Sequence, residues 1–225
     1  MKLLLIGHGR MGRLVESLAP RYGCEVTGII TSASGAEAIR SAADVAVDFS
    51  TAAAVPVNLP LLASRGINVV VGTTGWQDRE AELRAIVERA GTGVVASANF
   101  SMAMHIFRQI VDEAARRFAA RADTGAWIHE AHHAAKKDAP SGTALMLKAA
   151  MQAAGYTRAI DVSSTRAGSI PGTHVVGFDG PADTVTLTHD VRDRAVFAHG
   201  ALEAARWIQG RRGWYGMRDL FQLQD

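Results

Sequence analysis

Short apolar runs alternate with longer amphipathic segments along the first hundred residues. Runs that predict buried strands cover residues 2–6, 25–30, 44–48, 67–71 and 93–96. Helices are predicted between them over 13–21, 36–41, 51–65 and 78–90. The third is uncertain, because Pro56 and Pro60 both interrupt a helical backbone. Strands separated by helices predict a parallel, doubly wound sheet whose ligand lies at the carboxyl ends of the strands.

The pattern changes after residue 100. One long helix is predicted over 101–122. Its apolar stripe comprises Met102, Ile106, Ile110, Ala114 and Phe118. Strands follow over 160–165, 173–178 and 184–191 with only turns between them, and the last alternates strictly. Hairpin-linked strands predict a mixed or antiparallel sheet, and therefore a second domain. A helix over 201–209 and an irregular tail from Gly213 complete the prediction.

A glycine-rich turn joins the first predicted strand to the first predicted helix. Gly7, Gly9 and Gly12 form the pattern G-x-G-x-x-G, which binds dinucleotides in this strand-to-helix setting. Gly7 would make the tight turn, Gly9 would let the backbone approach a pyrophosphate, and Gly12 would let the helix pack closely on the strand. Other strands end in the small or polar runs Asp48-Phe49-Ser50, Gly72-Thr73-Thr74-Gly75 and Ser97-Ala98-Asn99-Phe100. We therefore predict a nucleotide cleft at this edge.

The end of the second strand bears on the choice of nucleotide. A site specific for NAD usually carries an acidic residue about 20 positions after the glycines. Residues 29–34 contain hydroxyl groups but neither an acid nor an arginine. A 2′-phosphate would meet no repulsion there, so we predict NADPH use with NADH tolerated.

Reactive side chains are concentrated between residues 128 and 144. His132 and Lys136 are proton donors of different strengths, and they precede the turn Pro140-Ser141-Gly142-Thr143. The small and apolar residues that follow, up to Ala154, predict a helix that begins at this turn and ends at Gly155. A helix N-terminus attracts carboxylates and phosphates. The segment therefore predicts chemistry on a small carboxylated molecule.

The same segment also contains the zinc-protease pattern H-E-x-x-H, from His129 to His133. That mechanism needs both histidines on one helix. Residues 125–128 instead predict a strand, which would separate the two histidines by about 13 Å at ~3.3 Å per residue. We therefore expect no metal. A zinc hydrolase remains an alternative, as does a dinucleotide sensor without catalysis.

The composition bears on possible partners and on the location of the protein. The net charge is only +2 over 225 residues, and no basic run stands out, which argues against a nucleic-acid partner. The only cysteine, Cys24, fits a reducing compartment. The N-terminal apolar run is too short for a signal peptide or a membrane span. We expect a soluble, cytoplasmic protein without membrane contact.

The segment from Glu130 to Ala144 resembles the signature of the dihydrodipicolinate reductase family. Matching runs elsewhere are Gly9-Arg10-Met11-Gly12, Asp48-Phe49-Ser50, Gly72-Thr73-Thr74-Gly75, Asn99-Phe100-Ser101 and Arg166-Ala167-Gly168, together with Arg194 and Phe197. The opening Gly7-His8-Gly9 is one residue shorter than the Gly-x-Gly-Gly of many relatives. The resemblance implies an α/β fold with a Rossmann-like parallel-sheet domain and a smaller α+β mixed-sheet domain for substrate binding and oligomerisation. The implied domains are residues 1–99, completed by 196–225, and residues 100–195.

The resemblance also implies an activity and a set of site residues. Members reduce a cyclic imine dicarboxylate with NADPH or NADH in lysine and diaminopimelate biosynthesis, and they are typically homotetramers. His132 would be the general acid and Lys136 a second proton donor. Substrate-binding residues would be His133, Ser141, Gly142 and Thr143. Cofactor-binding residues would be Gly7, His8, Gly9, Arg10, Met11, Gly12, Gly72, Thr73, Thr74, Ser97, Ala98, Asn99, Phe100, Arg194 and Phe197.

Overall fold

The computed structural model describes residues 1–34 and 42–221, which form two compact units. The first unit contains Met1–Met102 and the segment that begins at Ala195, and the second contains Ala103–Arg194. The helix predicted over 36–41 lies outside the described residues. Within the described residues, no helix combines the length and apolarity needed to cross a membrane.

The first unit is built on a six-stranded parallel sheet, which confirms the predicted doubly wound architecture. Its strands are β1 (Lys2–Ile6), β2 (Glu25–Ile30), β3 (Val45–Asp48), β4 (Asn68–Val71), β5 (Gly93–Ala96) and β10 (Gly213–Tyr215). They are arranged in the order β10-β5-β4-β3-β1-β2. Residues of β1, β3 and β4 alternate between two apolar clusters, one on each face, so the sheet is covered on both sides.

Helices cover the faces of this sheet. They are α1 (Arg10–Leu18), α2 (Val55–Ala63), α3 (Glu80–Ala90), α6 (Ala195–Ile208) and α7 (Met217–Phe221), with 3₁₀ turns at Ala19–Tyr22 and Gln77–Arg79. Pro56 lies in the first turn of α2, where an N–H has no helical acceptor, whereas Pro60 lies inside the helix. The uncertain segment is therefore a shorter helix than predicted.

Several predicted boundaries in this unit differ from the structure, and so does the predicted tail. The first helix begins at Arg10 rather than residue 13, and α6 begins at Ala195 rather than residue 201. The tail was predicted to be irregular, which is wrong: β10 adds an edge strand beside β5, and α7 follows it. A three-residue strand is too short to show alternation, so the sequence carries little signal for it.

The second unit is a mixed four-stranded sheet with helices on one face. Its elements are α4 (Met102–Ala119), β6 (Gly125–His132), α5 (Gly142–Ala153), β7 (Ile160–Arg166), β8 (Thr173–Asp179) and β9 (Thr184–Asp190). The strand order is β7-β6-β8-β9. The β8–β9 pair is the predicted hairpin, but β7 and β8 are not neighbours, because β6 lies between them, parallel to β7 and antiparallel to β8.

The predicted apolar stripe of α4 is mostly not the buried face. Met102, Ile106 and Ile110 are 40%, 41% and 50% exposed. The core instead receives Met104, Phe107, Val111 and Ala115, while Ala114 and Phe118 pack partly against it. The helix carries apolar side chains on two faces, and spacing alone does not indicate which face meets the sheet.

Candidate active site

The glycine loop after β1 has the geometry predicted for a dinucleotide site. Gly7 has a φ of +89°, and a Cβ there would lie 2.5 Å from the Phe49 carbonyl oxygen. A Cβ on Gly12 would lie 2.1 Å from the Gly7 carbonyl oxygen, so α1 packs directly on the loop. A Cβ on Gly9 would meet no atom within 4 Å. The loop therefore has open space at the glycine where a pyrophosphate is expected to approach.

Two of the cavities along this edge of the sheet adjoin the glycine loop. The larger, of about 600 Å³, is lined by Gly7, His8 and Gly9 together with the ends of β2 and β3. The smaller, of about 360 Å³, is lined by Gly9, Arg10, Met11, Gly72, Thr73 and Thr74. Most of the predicted cofactor residues in the loops after β1 and β4 thus line these two cavities. Backbone amides and hydroxyls supply the polar lining, which suits a phosphorylated ligand.

The remaining predicted cofactor residues are more dispersed. Ser97 and Ala98 line a separate cavity of about 350 Å³ with Thr73 and Trp214. Asn99 begins no regular element: its carbonyl oxygen accepts from Ser97 Oγ, and its Oδ1 accepts from the Ser101 N–H. Phe100 is buried in the core, and Phe197 packs partly against the same core. Arg194 is the last residue of the second unit.

A buried carboxylate organises the loops that line the two cavities. Asp48, at the end of β3, accepts hydrogen bonds from the Ser50 N–H, the Ser50 hydroxyl, Thr73 Oγ1 and Asn58 Nδ2 at 2.6–3.4 Å. Burial raises the pKa of Asp48, and the hydrogen bonds from Ser50, Thr73 and Asn58 oppose that shift. The carboxylate joins the end of β3 to the Thr73 loop and to α2.

A second buried carboxylate, Glu130, is the centre of the candidate site in the second unit. It lies on β6 with no exposed surface. Arg166 on β7 donates to both of its oxygens, at 3.0 and 2.7 Å. The Ser141 N–H donates to Oε1 at 3.2 Å, and His132 Nδ1 forms a short hydrogen bond with Oε2. Burial alone would raise the pKa of Glu130, but the hydrogen bonds from Arg166, Ser164 and His132 outweigh it and hold the pKa at about 2.

His132 lies at the end of β6, two residues after Glu130 and on the same face of the strand. Burial lowers its pKa, and the hydrogen bond and negative charge of Glu130 oppose that shift. On the side of the ring away from Glu130, a Cβ at Gly172 would lie 3.2 Å from His132 Nε2. The ring is therefore held at one nitrogen and closely approached by backbone at the other.

Ser141 connects this cluster to the start of α5. It is the N-cap residue, and its Oγ accepts from the Ala144 N–H at 3.2 Å. The same Oγ lies 3.2 Å from Nε2 of His174, a buried side chain on β8. The Ser141 hydroxyl is thus engaged within the protein. The first-turn N–H groups of Gly142 and Thr143 have no intrahelical acceptor and face the exposed end of the helix.

The other predicted residues occupy the segment between β6 and α5. Lys136 Nζ donates to the Asp138 carboxylate at 2.8 Å, which lowers the pKa of Asp138. The His133 carbonyl oxygen accepts from the Lys136 N–H at 3.1 Å, so a turn follows the strand. At the other end of α5, Gly155 has a φ of +96°, as predicted for a residue that ends the helix.

The geometry required by the zinc-protease pattern is absent from residues 129–133. His129 lies in β6 and its Nδ1 is hydrogen-bonded to Ser163 Oγ, and His133 follows the end of the strand. The donor atoms of Glu130, His132 and His174 do lie within 4.8 Å of one another. However, the guanidinium of Arg166 already contacts both Glu130 oxygens. A cation there would meet a positive charge, so the donor set does not fit a metal ion well.

The sequence analysis gave no role to three members of this cluster: Glu130 and Arg166, which lie in the matching motifs, and His174. Glu130 stood inside the recognised motif, and its i,i+2 spacing from His132 on a predicted strand already placed both on one face. Arg166 and His174 come from strands whose pairing with β6 could not be deduced from the hydrophobic pattern. Register is a tertiary property, so their convergence required the structure.

The buried His174 predicts a loss of stability in mild acid. Burial, aided by the positive charge of His132, lowers the pKa of His174 to about 4. The unfolded chain would take up a proton below pH ~6.5, whereas the folded chain resists it until about pH 4. We expect this residue alone to remove about 3 kcal/mol of the free energy of unfolding as the pH falls through that window. Urea titrations of the wild-type protein and His174→Gln measure it, because the variant should show a correspondingly smaller pH dependence.

The sequence comparisons identify one family, and a solved structure shares the fold. Residues 1–100 match the family model described as dihydrodipicolinate reductase, N-terminus, and residues 103–221 match the one described as its C-terminus. The chain is 33% identical to the 4-hydroxy-tetrahydrodipicolinate reductase of Methanospirillum hungatei JF-1, with 99% of each chain covered. It is 34% identical to the protein of that name from Rhodopseudomonas palustris TIE-1, with 100% of this chain and 98% of the relative covered. A solved structure, dipicolinate-bound dihydrodipicolinate reductase from Paenisporosarcina sp. TG-14, has the same fold, with a TM-score of 0.81 at 19% identity over 97% of this chain and 98% of that chain.

Proposed function

The chain belongs to the dihydrodipicolinate reductase family, and from this we propose that it reduces the hydroxy-tetrahydrodipicolinate precursor to tetrahydrodipicolinate with NAD(P)H. This is a step of lysine and diaminopimelate biosynthesis. The observation that carries the proposal is the cluster in which Glu130 contacts both His132 and the N-terminus of α5. It combines a proton donor with a site for an anionic group, as reduction of an unsaturated dicarboxylate requires.

The first unit would hold the cofactor. Gly7, Gly9 and Gly12 fit a pyrophosphate, because the loop is tight at Gly7, open at Gly9 and supported by α1 at Gly12. Arg10, Thr73 and Thr74 line the adjoining cavity and offer a positive charge and hydroxyls. When bound, the nicotinamide supplies the hydride that reduces the ring of the substrate.

The second unit would bind the dicarboxylate and supply the proton. Gly142 and Thr143 present N–H groups and a hydroxyl to one carboxylate, and the partial positive charge of the α5 N-terminus adds to the attraction. His133 is proposed to bind the other carboxylate. His132 gives up the proton that completes the addition, and Lys136 provides a positive charge and a second donor. Ser141 acts through its backbone and by capping α5, since its hydroxyl is already engaged.

A direct assay tests this proposal against the alternatives. The purified protein should oxidise NADPH or NADH, followed by the nicotinamide absorbance, only when freshly prepared precursor is present. A dinucleotide sensor would bind the cofactor without turnover. A zinc hydrolase would carry stoichiometric zinc in metal analysis and lose its activity on removal of the metal. Absence of precursor-dependent oxidation by a folded protein that binds the cofactor would refute the reductase assignment.

Three finer assignments extend the proposal. The preference for NADPH with NADH tolerated rests on Thr31 and Ser32, which follow β2 and line the larger cavity without an acidic side chain. A cytoplasmic location rests on the single cysteine, Cys24. A homotetramer formed through the second-unit sheet is supported by the exposed apolar Val185 on the edge strand β9. The ratio of kcat/KM for the two cofactors and the molar mass by light scattering test the first and third.

Thr143→Val should weaken substrate binding more than it slows the reaction. The substitution keeps the shape of the side chain and removes one hydrogen bond to a charged group, worth about 1.5–3 kcal/mol. If that bond is equally strong before and during the reaction, KM rises about 10- to 150-fold with kcat nearly unchanged. Thr143→Ser, which keeps the hydroxyl, is the matched control. An unaltered KM in the valine variant would remove the Thr143 hydroxyl from the carboxylate site.

A further inference from the structure

We propose that Glu130 is the positioning residue of the reaction: it fixes His132 as the Nδ1–H tautomer, so that Nε2 is the atom that delivers the proton. This inference rests on the proposed function, in which His132 is the proton donor. Nothing in the motif itself distinguishes the two ring nitrogens. The two nitrogens are distinguished by their surroundings in the structure.

The Nδ1 side is determined by the chemistry of the carboxylate. An ionised carboxylate can only accept hydrogen bonds, and Glu130 stays ionised to about pH 2. Its other partners, the Arg166 guanidinium, the Ser141 N–H and the Ser164 hydroxyl, all donate hydrogen bonds to it. The hydrogen bond between Glu130 Oε2 and His132 Nδ1 therefore requires the hydrogen to be on Nδ1. The neutral ring then has an unprotonated Nε2, which gains and gives the catalytic proton.

The Nε2 side of the ring has a neighbour of a different kind. The residue next to it is Gly172, and a Cβ there would lie 3.2 Å from Nε2 and 3.4 Å from Cδ2. A side chain at position 172 would therefore crowd this edge of the ring, and glycine lets the backbone pack beside it. The two sides together orient the imidazole: a buried carboxylate holds Nδ1, and the Gly172 backbone packs beside Nε2.

Glu130 also couples His132 to the proposed carboxylate site. Its Oε1 accepts from the N–H of Ser141, the N-cap of α5, while its Oε2 accepts from His132. Arg166 anchors the carboxylate from β7, so it cannot turn without breaking two further hydrogen bonds. One side chain thus sets both the direction of the proton donor and the position of the helix start.

Glu130→Gln is the informative substitution, because it keeps the shape and removes the charge. The amide nitrogen would face a donor, from His132 or from Arg166, wherever it is placed. We expect kcat to fall roughly 10- to 100-fold, part of the 10²–10⁴ that a positioned acid contributes, with the Kd for NADPH unchanged. His129→Gln is the matched control, since His129 lies on the same strand and bonds only to Ser163 among these residues.

The pH profile separates positioning from a purely structural role. The charged and titratable groups around His132 are Glu130 on its own strand, Arg166 on β7, His174 on β8 and Lys136 in the following turn. Of these, Glu130 favours the protonated ring, and its loss should move the alkaline limb of kcat to lower pH. A fall in kcat with an unmoved limb, or no fall in kcat, overturns the proposal.

A measurement on the wild-type protein decides the matter even if Glu130→Gln does not fold. Nitrogen-15 NMR of the histidine side chains, with His132 assigned by comparison with His132→Gln, reports which ring nitrogen carries hydrogen in the neutral form. We expect Nδ1–H. An Nε2–H tautomer overturns the proposal. This measurement needs no substrate, so its outcome is independent of the precursor assay that tests the proposed function.

Discussion

Replacing His132 by alanine is expected to lower kcat by roughly 10²–10³, a range typical of the loss of a positioned proton donor. The affinity for NADPH should remain near its wild-type value, since the glycine loop belongs to the other unit. The fold should be retained, because Arg166 and the Ser141 N–H continue to hold the Glu130 carboxylate. Steady-state kinetics and calorimetric titration of NADPH measure the two effects.

The variant His129→Gln again serves as the control, since it alters a histidine of the same strand outside the Glu130 cluster. Turnover by His132→Ala equal to that of the control would remove His132 from the mechanism. A lost affinity for NADPH, with turnover falling in proportion, would instead indicate that the substitution damages the cofactor site.

Gly12→Ala should destabilise the protein even though alanine is the better helix former. Inside a helix, this exchange ordinarily stabilises by about 0.5–1 kcal/mol. Here the new Cβ would lie 2.1 Å from the Gly7 carbonyl oxygen, and relieving the overlap costs about 1–3 kcal/mol or more. The cost of relieving the overlap exceeds the gain from the better helix former, so the loop has to move away from α1. We therefore expect a lower midpoint of urea unfolding and NADPH binding weakened by at least ~10-fold, which is ~1.4 kcal/mol.

Gly9→Ala is the companion variant, and it should weaken NADPH binding with little change in stability. Gly9 has a φ of −76°, which any residue adopts, and its Cβ would meet nothing within 4 Å. As an N-cap exchange it should alter stability by only about 1 kcal/mol. If the backbone of Gly9 approaches a pyrophosphate, however, the methyl group should weaken NADPH binding. Normal binding by Gly9→Ala would contradict the proposed position of the phosphates, and an undiminished stability of Gly12→Ala would contradict the close packing of α1.

The parallel sheet of the first unit could be predicted from the sequence because its strands are buried on both faces. Runs such as residues 2–6 and 67–71 are almost continuously apolar, and glycine or polar residues mark their ends. The short edge strand β10 left no comparable pattern, since Gly213, Trp214 and Tyr215 are all only partly buried. Central strands are thus encoded locally, whereas β10 depends on the neighbour β5 for its conformation.

In the second unit, the local sequence pattern does not determine which face of a helix is buried. Helix α4 has one apolar row at Met102, Ile106 and Ile110 and another at Met104, Phe107 and Val111, and only the second meets the sheet. Both rows have helical spacing, so the choice between them is made by the partner surface. The motif around His132 could be recognised, but the contacts of Arg166 and His174 with it follow from strand order and register.

The first unit is discontinuous along the chain, and this has a consequence for its synthesis. Helix α6 supplies Ala201, Leu202, Ala205 and Ile208 to the same core as β1 and β3, and a Cβ on Gly200 would lie 1.8 Å from the Phe100 carbonyl oxygen. Until α6 has emerged from the ribosome, the nascent chain therefore carries an open apolar face on its N-terminal sheet. The second unit, contiguous from Ala103 to Arg194, has all its core residues earlier. The later-encoded unit can thus finish folding before the open face of the N-terminal sheet is covered.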